Sequence, residues 1–174
     1  MTLFTQQHRV TSNLVYKGEI INLRVDTVKC DGKSVTREVV EHIGGVVIAC
    51  QPQPDKVVLV KQYRYALDKE LFELPAGRLD EGEQPLLAAQ RELKEETGYE
   101  SSHWQEIGRM YSAPGFCNEL LYLFRASPAI LGQKTPDEDE ETEVIVMAVK
   151  EAWQKVIRGE IADAKTIAGL AMLV

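Results

Sequence analysis

The sequence predicts an α/β domain, and three observations carry that expectation. β-branched runs broken by turns fill the chain up to about Arg64, a helical pattern runs from Pro85 to Gly98, and two further helical stretches close the chain after more strand-like runs.

Val15 to Val28, Ser34 to His42, Gly45 to Cys50 and Lys56 to Tyr63 read as strands, with Asp31-Gly32 marking a hairpin. Pro52, Pro54 and Asp55 break the next pair, so Val46, Val47 and Ile48 are expected to face Val57, Val58, Leu59 and Val60 across a tight connection. Such continuous apolar runs predict buried central strands. Leu74 to Glu83 carries Pro75, Gly77 and Gly82 and reads as a loop. In the helix that follows, Pro85 suits a first turn, Leu86, Ala89 and Leu93 share an apolar stripe, and Gly98 is placed to end it. Gln105 to Ser112, Leu120 to Ala126 and Val144 to Val149 read as strands, and Lys150 to Arg158 and Ala164 to Leu173 as helices. An acidic stretch, Asp137 to Glu143, precedes the last strand.

A chain of 174 residues can bury a single core, and a formal charge of -7 argues against nucleic acid or an anionic membrane as partner, since phosphates are held by clustered Lys and Arg. The start of the chain has no charged segment followed by an apolar run, and no stretch is apolar for the roughly 20 residues of a membrane helix, so a cytoplasmic protein is expected. Cys30, Cys50 and Cys117 are too few and too scattered for a disulfide framework or a zinc site and read as buried or half-buried thiols. His8, His42 and His103 are isolated in the sequence.

The chemistry is concentrated in the helix after Pro85. At about 100° per residue, Glu92, Glu95 and Glu96 fall within an arc of about 100° beside the apolar stripe. Like charges at this spacing repel, and more so when partly desolvated, so something positive should sit among them. Arg91 can relieve Glu95 as its i,i+4 neighbour, whereas Glu92 and Glu96 are expected to point away from it and to offer oxygen ligands to a hard divalent cation. The plain alternative is a solvated face of a Glu-rich helix.

The spacing around that helix decides between them. Gly77, five residues, Glu83, seven residues, then Arg91-Glu92-Leu93-Lys94-Glu95-Glu96-Thr97-Gly98 resembles the Nudix box, and it departs from that pattern only at Tyr99, where an aliphatic residue is usual. The resemblance implies hydrolysis of a nucleoside diphosphate linked to another group, with Mg²⁺ or Mn²⁺ as cofactor. It implies Glu92 and Glu96 as principal metal ligands, with Glu95 and the Ala76 carbonyl completing the set, and Glu92 and Glu95 in catalysis. Gly77, Glu83, Arg91 and Gly98 would be structural members of the motif, Arg91 orienting the carboxylates.

Two outer segments are similar to the ADP-ribose pyrophosphatase group of that family: Lys61-Gln62-Tyr63-Arg64 with Glu73-Leu74-Pro75-Ala76-Gly77, and Ser112-Ala113-Pro114-Gly115-Phe116. This resemblance puts Pro114 and Gly115 at the substrate. It also makes glutamates of the acidic stretch close over the site, with Glu138 as the base that activates water and Glu140 as a metal contact. A charge run is otherwise an ordinary solvated loop. Arg64 is a candidate donor to a substrate phosphate, because its fork matches phosphate oxygens, and Arg37 is a second, contributed across a dimer.

The expectation is therefore a Nudix-type α/β/α sandwich with a mixed sheet, preceded by an N-terminal antiparallel β portion over residues 1–42 that makes a homodimer, with the hydrolase domain over residues 43–174. The expected reaction is hydrolysis of ADP-ribose to AMP and ribose 5-phosphate. Alternatives are another nucleoside diphosphate sugar such as GDP-mannose, or a dinucleotide such as NADH. Rivals of another class are a non-catalytic nucleotide sensor, which has no need of a metal-loaded carboxylate cluster, and an acidic structural protein whose carboxylates only keep it soluble, which Mg²⁺ titration would separate from the others.

Overall fold

A computed structural model describes residues 3–134 and 142–174. The chain divides into two compact units, one of Met1–Gly44 with Tyr111–Leu120 and one of Gly45–Met110 with Leu121–Val174.

The first unit is an antiparallel meander of β1 (Arg9–Lys17), β2 (Asn22–Cys30) and β3 (Lys33–Glu41). The expected single strand from Val15 to Val28 is two strands, because the chain turns at Gly18, whose N–H bonds back to the Ile21 carbonyl at 3.0 Å. Asp31 and Gly32, both at positive φ, close the β2–β3 hairpin as expected. The segment carrying Pro114 and Gly115 lies along β3: Val40 N–H donates to the Phe116 carbonyl at 2.8 Å, and His42 N–H to Asn118 Oδ1 at 2.8 Å. His42 Nδ1 lies 3.3 Å from Glu119 Oε1.

In the second unit, β4 (Gly45–Cys50) is buried along its whole length. Its neighbours are β7 (Ala76–Arg78), antiparallel, and β10 (Leu120–Ala126), parallel, with β9 (Trp104–Tyr111) beyond β10. A second sheet places β5 (Lys56–Arg64) between β6 (Lys69–Glu73) and β12 (Glu143–Ala148), and β8 (Tyr99–Glu100) pairs with β11 (Ile130–Leu131). The expected pairing of Val46–Ile48 with Val57–Val60 does not form. Consecutive apolar runs pack through side chains here: β4 takes β7 and β10 as backbone partners, while β5 takes its hairpin neighbour β6 and the distant β12. The loop expected after Leu74 holds β7, and β6 was not expected.

Alternation along β4 sorts the core. Val46, Ile48 and Cys50 pack with Ala88, Ala89 and Leu93 of α1 (Pro85–Thr97). Val47, on the other face, packs with Ala152 of α2 (Val149–Ile157) and Leu170 of α3 (Ala164–Ala171). Helices thus cover both faces of a mixed sheet, which is the α/β/α sandwich. Tyr99 packs against the α1 cluster, so its departure from the motif is absorbed by the core. Leu86 is exposed; the inward face of α1 is carried by Ala88, Ala89 and Leu93 together with Glu92 and Glu96. Cys50 is buried and Cys30 and Cys117 half-buried, as expected. Among the described residues, no helix is long and apolar enough to cross a membrane.

Candidate active site

α1 starts with Pro85 in its first turn and ends at Gly98, whose φ of 74° lies in the left-handed region and whose N–H caps the Lys94 carbonyl at 2.9 Å. A side chain at 98 would also press on the Lys134 backbone, 2.9 Å from where its Cβ would stand.

Two box glutamates are buried among apolar neighbours, Glu92 at 7% and Glu96 at 2% exposure. Such carboxylates need fixed partners. Glu96 Oε2 accepts the Ala76 N–H at 3.0 Å. Glu92 lies against Gly77 and accepts from Arg91 Nη1 at 2.7 Å. The same Nη1 donates to Glu95 Oε2 at 2.9 Å. Arg91 completes its fork on Glu83, with Nε to Oε1 at 3.1 Å and Nη2 to Oε2 at 3.0 Å, and Nη2 also reaches the Arg78 carbonyl at 3.2 Å.

Arg91 therefore ties the loop and two helix carboxylates to one guanidinium. Glu92 does not point away from it, contrary to the sequence expectation: adjacent side chains on a helix meet when an arginine folds back across its own turn. The hydrogen bonds to Glu83, and then the charge of Glu92, hold the Arg91 guanidinium protonated even more firmly than usual. Glu83 is held below the usual carboxylate range, first by Arg91 and also by the Asp80 N–H.

The structure thus brings together Ala76, Gly77, Glu83, Arg91, Glu92, Glu95 and Glu96, while Gly98 ends the helix that carries the last four. Arg64, at the end of β5, is engaged by Glu73, with Nε to Oε1 at 2.7 Å and Nη2 to Oε2 at 2.6 Å. Arg37, Pro114 and Gly115 belong to the first unit and are exposed. Arg37 Nη1 donates to the Thr36 carbonyl at 2.9 Å, and its guanidinium lies 5.9 Å from the Phe4 ring centre. Glu138 and Glu140 fall outside the described residues.

Sequence reasoning missed Glu73, Lys165 and Thr166. Glu73 is 1% exposed and is shared by Arg64 and Lys165, while Thr166 Oγ1 accepts the Leu74 N–H at 2.8 Å. A signal existed for Glu73: a lone acid in the run Leu71-Phe72-Glu73-Leu74 demands a buried cation. None existed for Lys165 and Thr166, which follow Glu73 by some ninety positions.

The NUDIX domain family matches residues 41–170. This chain belongs to the Nudix family. As a family member it is an enzyme, a Nudix pyrophosphohydrolase. It is 36% identical to the ADP-ribose pyrophosphatase of Bacillus subtilis over 92% of this chain and 89% of that protein. It is 38% identical to the ADP-ribose pyrophosphatase of Mycobacterium tuberculosis over 92% of this chain and 80% of that one. Its fold matches a crystal structure of an ADP compounds hydrolase with a TM-score of 0.83, at 18% identity, over 95% of this chain and 90% of the other.

Nudix hydrolases generally use divalent cations, and the donors of this Nudix site can be tested for that role. Among the described residues no three acidic, thiol or imidazole side chains stand ready as a metal cluster. Arg91 bridges Glu92 and Glu95, and Glu96 is turned to the Ala76 N–H. The donor chemistry nonetheless fits a hard ion: every candidate ligand is an oxygen, and the absence of a side chain at Gly77 makes room for the Glu92 carboxylate.

Proposed function

We propose that this protein hydrolyses the diphosphate bond of ADP-ribose, giving AMP and ribose 5-phosphate, with Mg²⁺ or Mn²⁺ held by Glu92, Glu95, Glu96 and the Ala76 carbonyl. The observation that carries this reading is the convergence of three box carboxylates, two of them buried, on the strip Ala76–Gly77 and on Arg91. Two ADP-ribose pyrophosphatases that match over most of their length support the choice of substrate.

When bound, the cation neutralises charge building on the diphosphate and lowers the pKa of a water beside it. The chain's residues supply the rest. Glu138 accepts the proton of the attacking water, the bond from phosphorus to the bridging oxygen breaks, and the departing phosphate carries that oxygen away. Glu140 adds a further carboxylate to the metal. Arg91 aims the Glu92 and Glu95 carboxylates. Arg64 donates to a substrate phosphate oxygen, and the reading also assigns Pro114, Gly115 and Arg37, the last contributed across a dimer, to substrate binding.

The reading includes a homodimer formed through residues 1–42, a hydrolase domain over residues 43–174 and a cytoplasmic location. Support for the dimer is the exposed apolar content of β1 and the turn after it: Val10, Leu14, Val15, Tyr16 and Ile20 are all more than half exposed.

The test is product analysis after incubation with ADP-ribose, GDP-mannose and NADH in separate reactions containing Mg²⁺, with Glu96→Gln as control. AMP and ribose 5-phosphate from ADP-ribose with the unmodified protein alone supports the reading. Faster cleavage of GDP-mannose or NADH reassigns the substrate, and three intact compounds overturn it.

A further inference from the structure

Glu73 is a buried carboxylate that carries two cations. Arg64 grips both of its oxygens through Nε and Nη2, and Lys165 bonds Oε2 as well. Burial on its own would raise this carboxyl, but the hydrogen bonds and charges of Arg64 and Lys165 outweigh it and hold Glu73 below the usual carboxylate range. Lys165 in turn reaches Asp163 Oδ2 at 3.0 Å, and Asp163 caps the start of α3 through the Thr166 N–H at 3.0 Å. Glu73 is thereby anchored to a helix as well as to its own hairpin.

The consequence falls on Arg64. With Nε and Nη2 consumed, its guanidinium is fixed from one side, while Nη1 bonds to no other described residue and 40% of the side chain stays exposed. Guanidinium geometry makes this a directional arrangement, because fixing two N–H groups of a rigid plane fixes the rest. Arg64 also lies within the field of Glu96.

The backbone after Glu73 joins this cluster to the carboxylates. Leu74 N–H goes to Thr166, the Pro75 carbonyl accepts the Ile48 N–H at 2.8 Å, and Ala76 N–H goes to Glu96. A strip of four residues therefore carries the support of Arg64 at one end and a box glutamate at the other.

We propose that Glu73 and Lys165 are positioning residues for substrate binding: Glu73 holds the Arg64 fork so that Nη1 meets an oxygen of the substrate diphosphate, and Lys165 tethers Glu73 to α3. This rests on the diphosphate-hydrolase reading above. A role confined to stitching β6 to α3 would lower stability and leave the Michaelis constant alone.

The experiment is steady-state kinetics on ADP-ribose with Mg²⁺, with melting temperatures alongside, for the full chain and for Glu73→Asp, Lys165→Met, Arg64→Lys and the double variant Glu73→Asp/Arg64→Lys. Glu73→Asp keeps the charge and withdraws the carboxylate by one methylene. The expected result is a KM raised about tenfold with kcat within about twofold, the size of one charge-assisted hydrogen bond. In the Arg64→Lys background the same substitution adds nothing to KM, because the fork it positions is gone. Lys165→Met, which leaves the Arg64–Glu73 pair in place, raises KM by less and stands in if Glu73→Asp fails to fold. An unchanged KM in a folded Glu73→Asp or Lys165→Met protein, or a KM effect that multiplies fully in the double variant, overturns the proposal while leaving the hydrolase reading intact. Absence of turnover of ADP-ribose, GDP-mannose and NADH by the unmodified protein overturns both.

Discussion

Gly77 and Glu92 occupy one shared volume: a Cβ built on Gly77 would stand 1.9 Å from Glu92 Cδ and 2.1 Å from its Oε1. No rotamer adjustment of a terminal group relieves such an overlap while the carboxylate stays in place. The glycine is therefore required by the glutamate on the neighbouring helix, and its sequence spacing to Glu92 is a packing constraint. Gly77→Ala is expected to displace Glu92, lowering kcat by roughly 100-fold as for other small misplacements of reacting groups. Since β7 still pairs with β4, the melting temperature should fall far less in proportion. Kinetics and a melting curve on one preparation check this, and near-normal kcat would show that Glu92 need not sit where it does.

Arg91 compensates Glu83, Glu92 and Glu95 at once. Arg91→Met keeps the aliphatic stem and removes the cation, leaving the carboxylates to repel one another. The metal-free variant is expected to lose about 2 kcal/mol of stability, in the range for stranding a charged hydrogen-bond partner. Mg²⁺ should then raise its melting temperature more than it raises that of the unmodified protein, because a cation binding the folded state stabilises by mass action and replaces the missing charge. Equal shifts in the two proteins would argue against Mg²⁺ binding at these carboxylates.

These two residues mark what the sequence made legible. Gly77, Glu83, Arg91, Glu92, Glu95 and Glu96 come from one short stretch, so a fixed spacing and a helical period suffice to bring them together. The strand segments of β4, β5 and β10 were legible for the same local reason, through their apolar runs. Pairing was not: β4 takes Leu121–Ala126 as its parallel neighbour across some seventy residues, and no local pattern distinguishes that from a hairpin with β5. Leu86 was misassigned because a period of 3.6 fixes a stripe only to within a side chain's width, and the partners of Glu73 lay too far along the chain to be inferred.

Glu73 gives stability a dependence on pH whose sign follows from its partners. Its folded pKa is depressed below the ordinary value of 4.5, so its stabilising contribution is fully present above that value. The contribution is lost as pH falls through the folded pKa, where the buried carboxylate takes up a proton and releases Arg64 and Lys165. Glu73→Gln is expected to be less stable than the unmodified protein by about 3 kcal/mol at neutral pH, as when one partner of a buried ion pair is removed. That difference should shrink as pH drops below about 4.5. Denaturant titrations of both proteins at neutral and acidic pH test it, and a gap constant with pH would mean that Glu73 is not ionised in the folded protein.

Thr166 shows how far from the chemistry the site is held. Its hydroxyl donates to Asp163 Oδ2 at 2.6 Å and accepts the Leu74 N–H at 2.8 Å, and Thr166 is fully buried. Thr166→Val keeps the shape and removes both bonds, leaving a buried N–H on Leu74 without an acceptor. Stability is expected to fall by about 1 to 3 kcal/mol, the desolvation penalty of such a group. Two residues along, the Ala76 N–H supports Glu96, so slack at Leu74 should pass into the loop that faces the box. The variant is therefore expected to lose kcat as well as stability, with circular dichroism still reporting a folded protein at the assay temperature. Loss of stability with kcat unchanged would mean that the Ile48 bond to the Pro75 carbonyl is enough to keep Ala76 in register without help from α3.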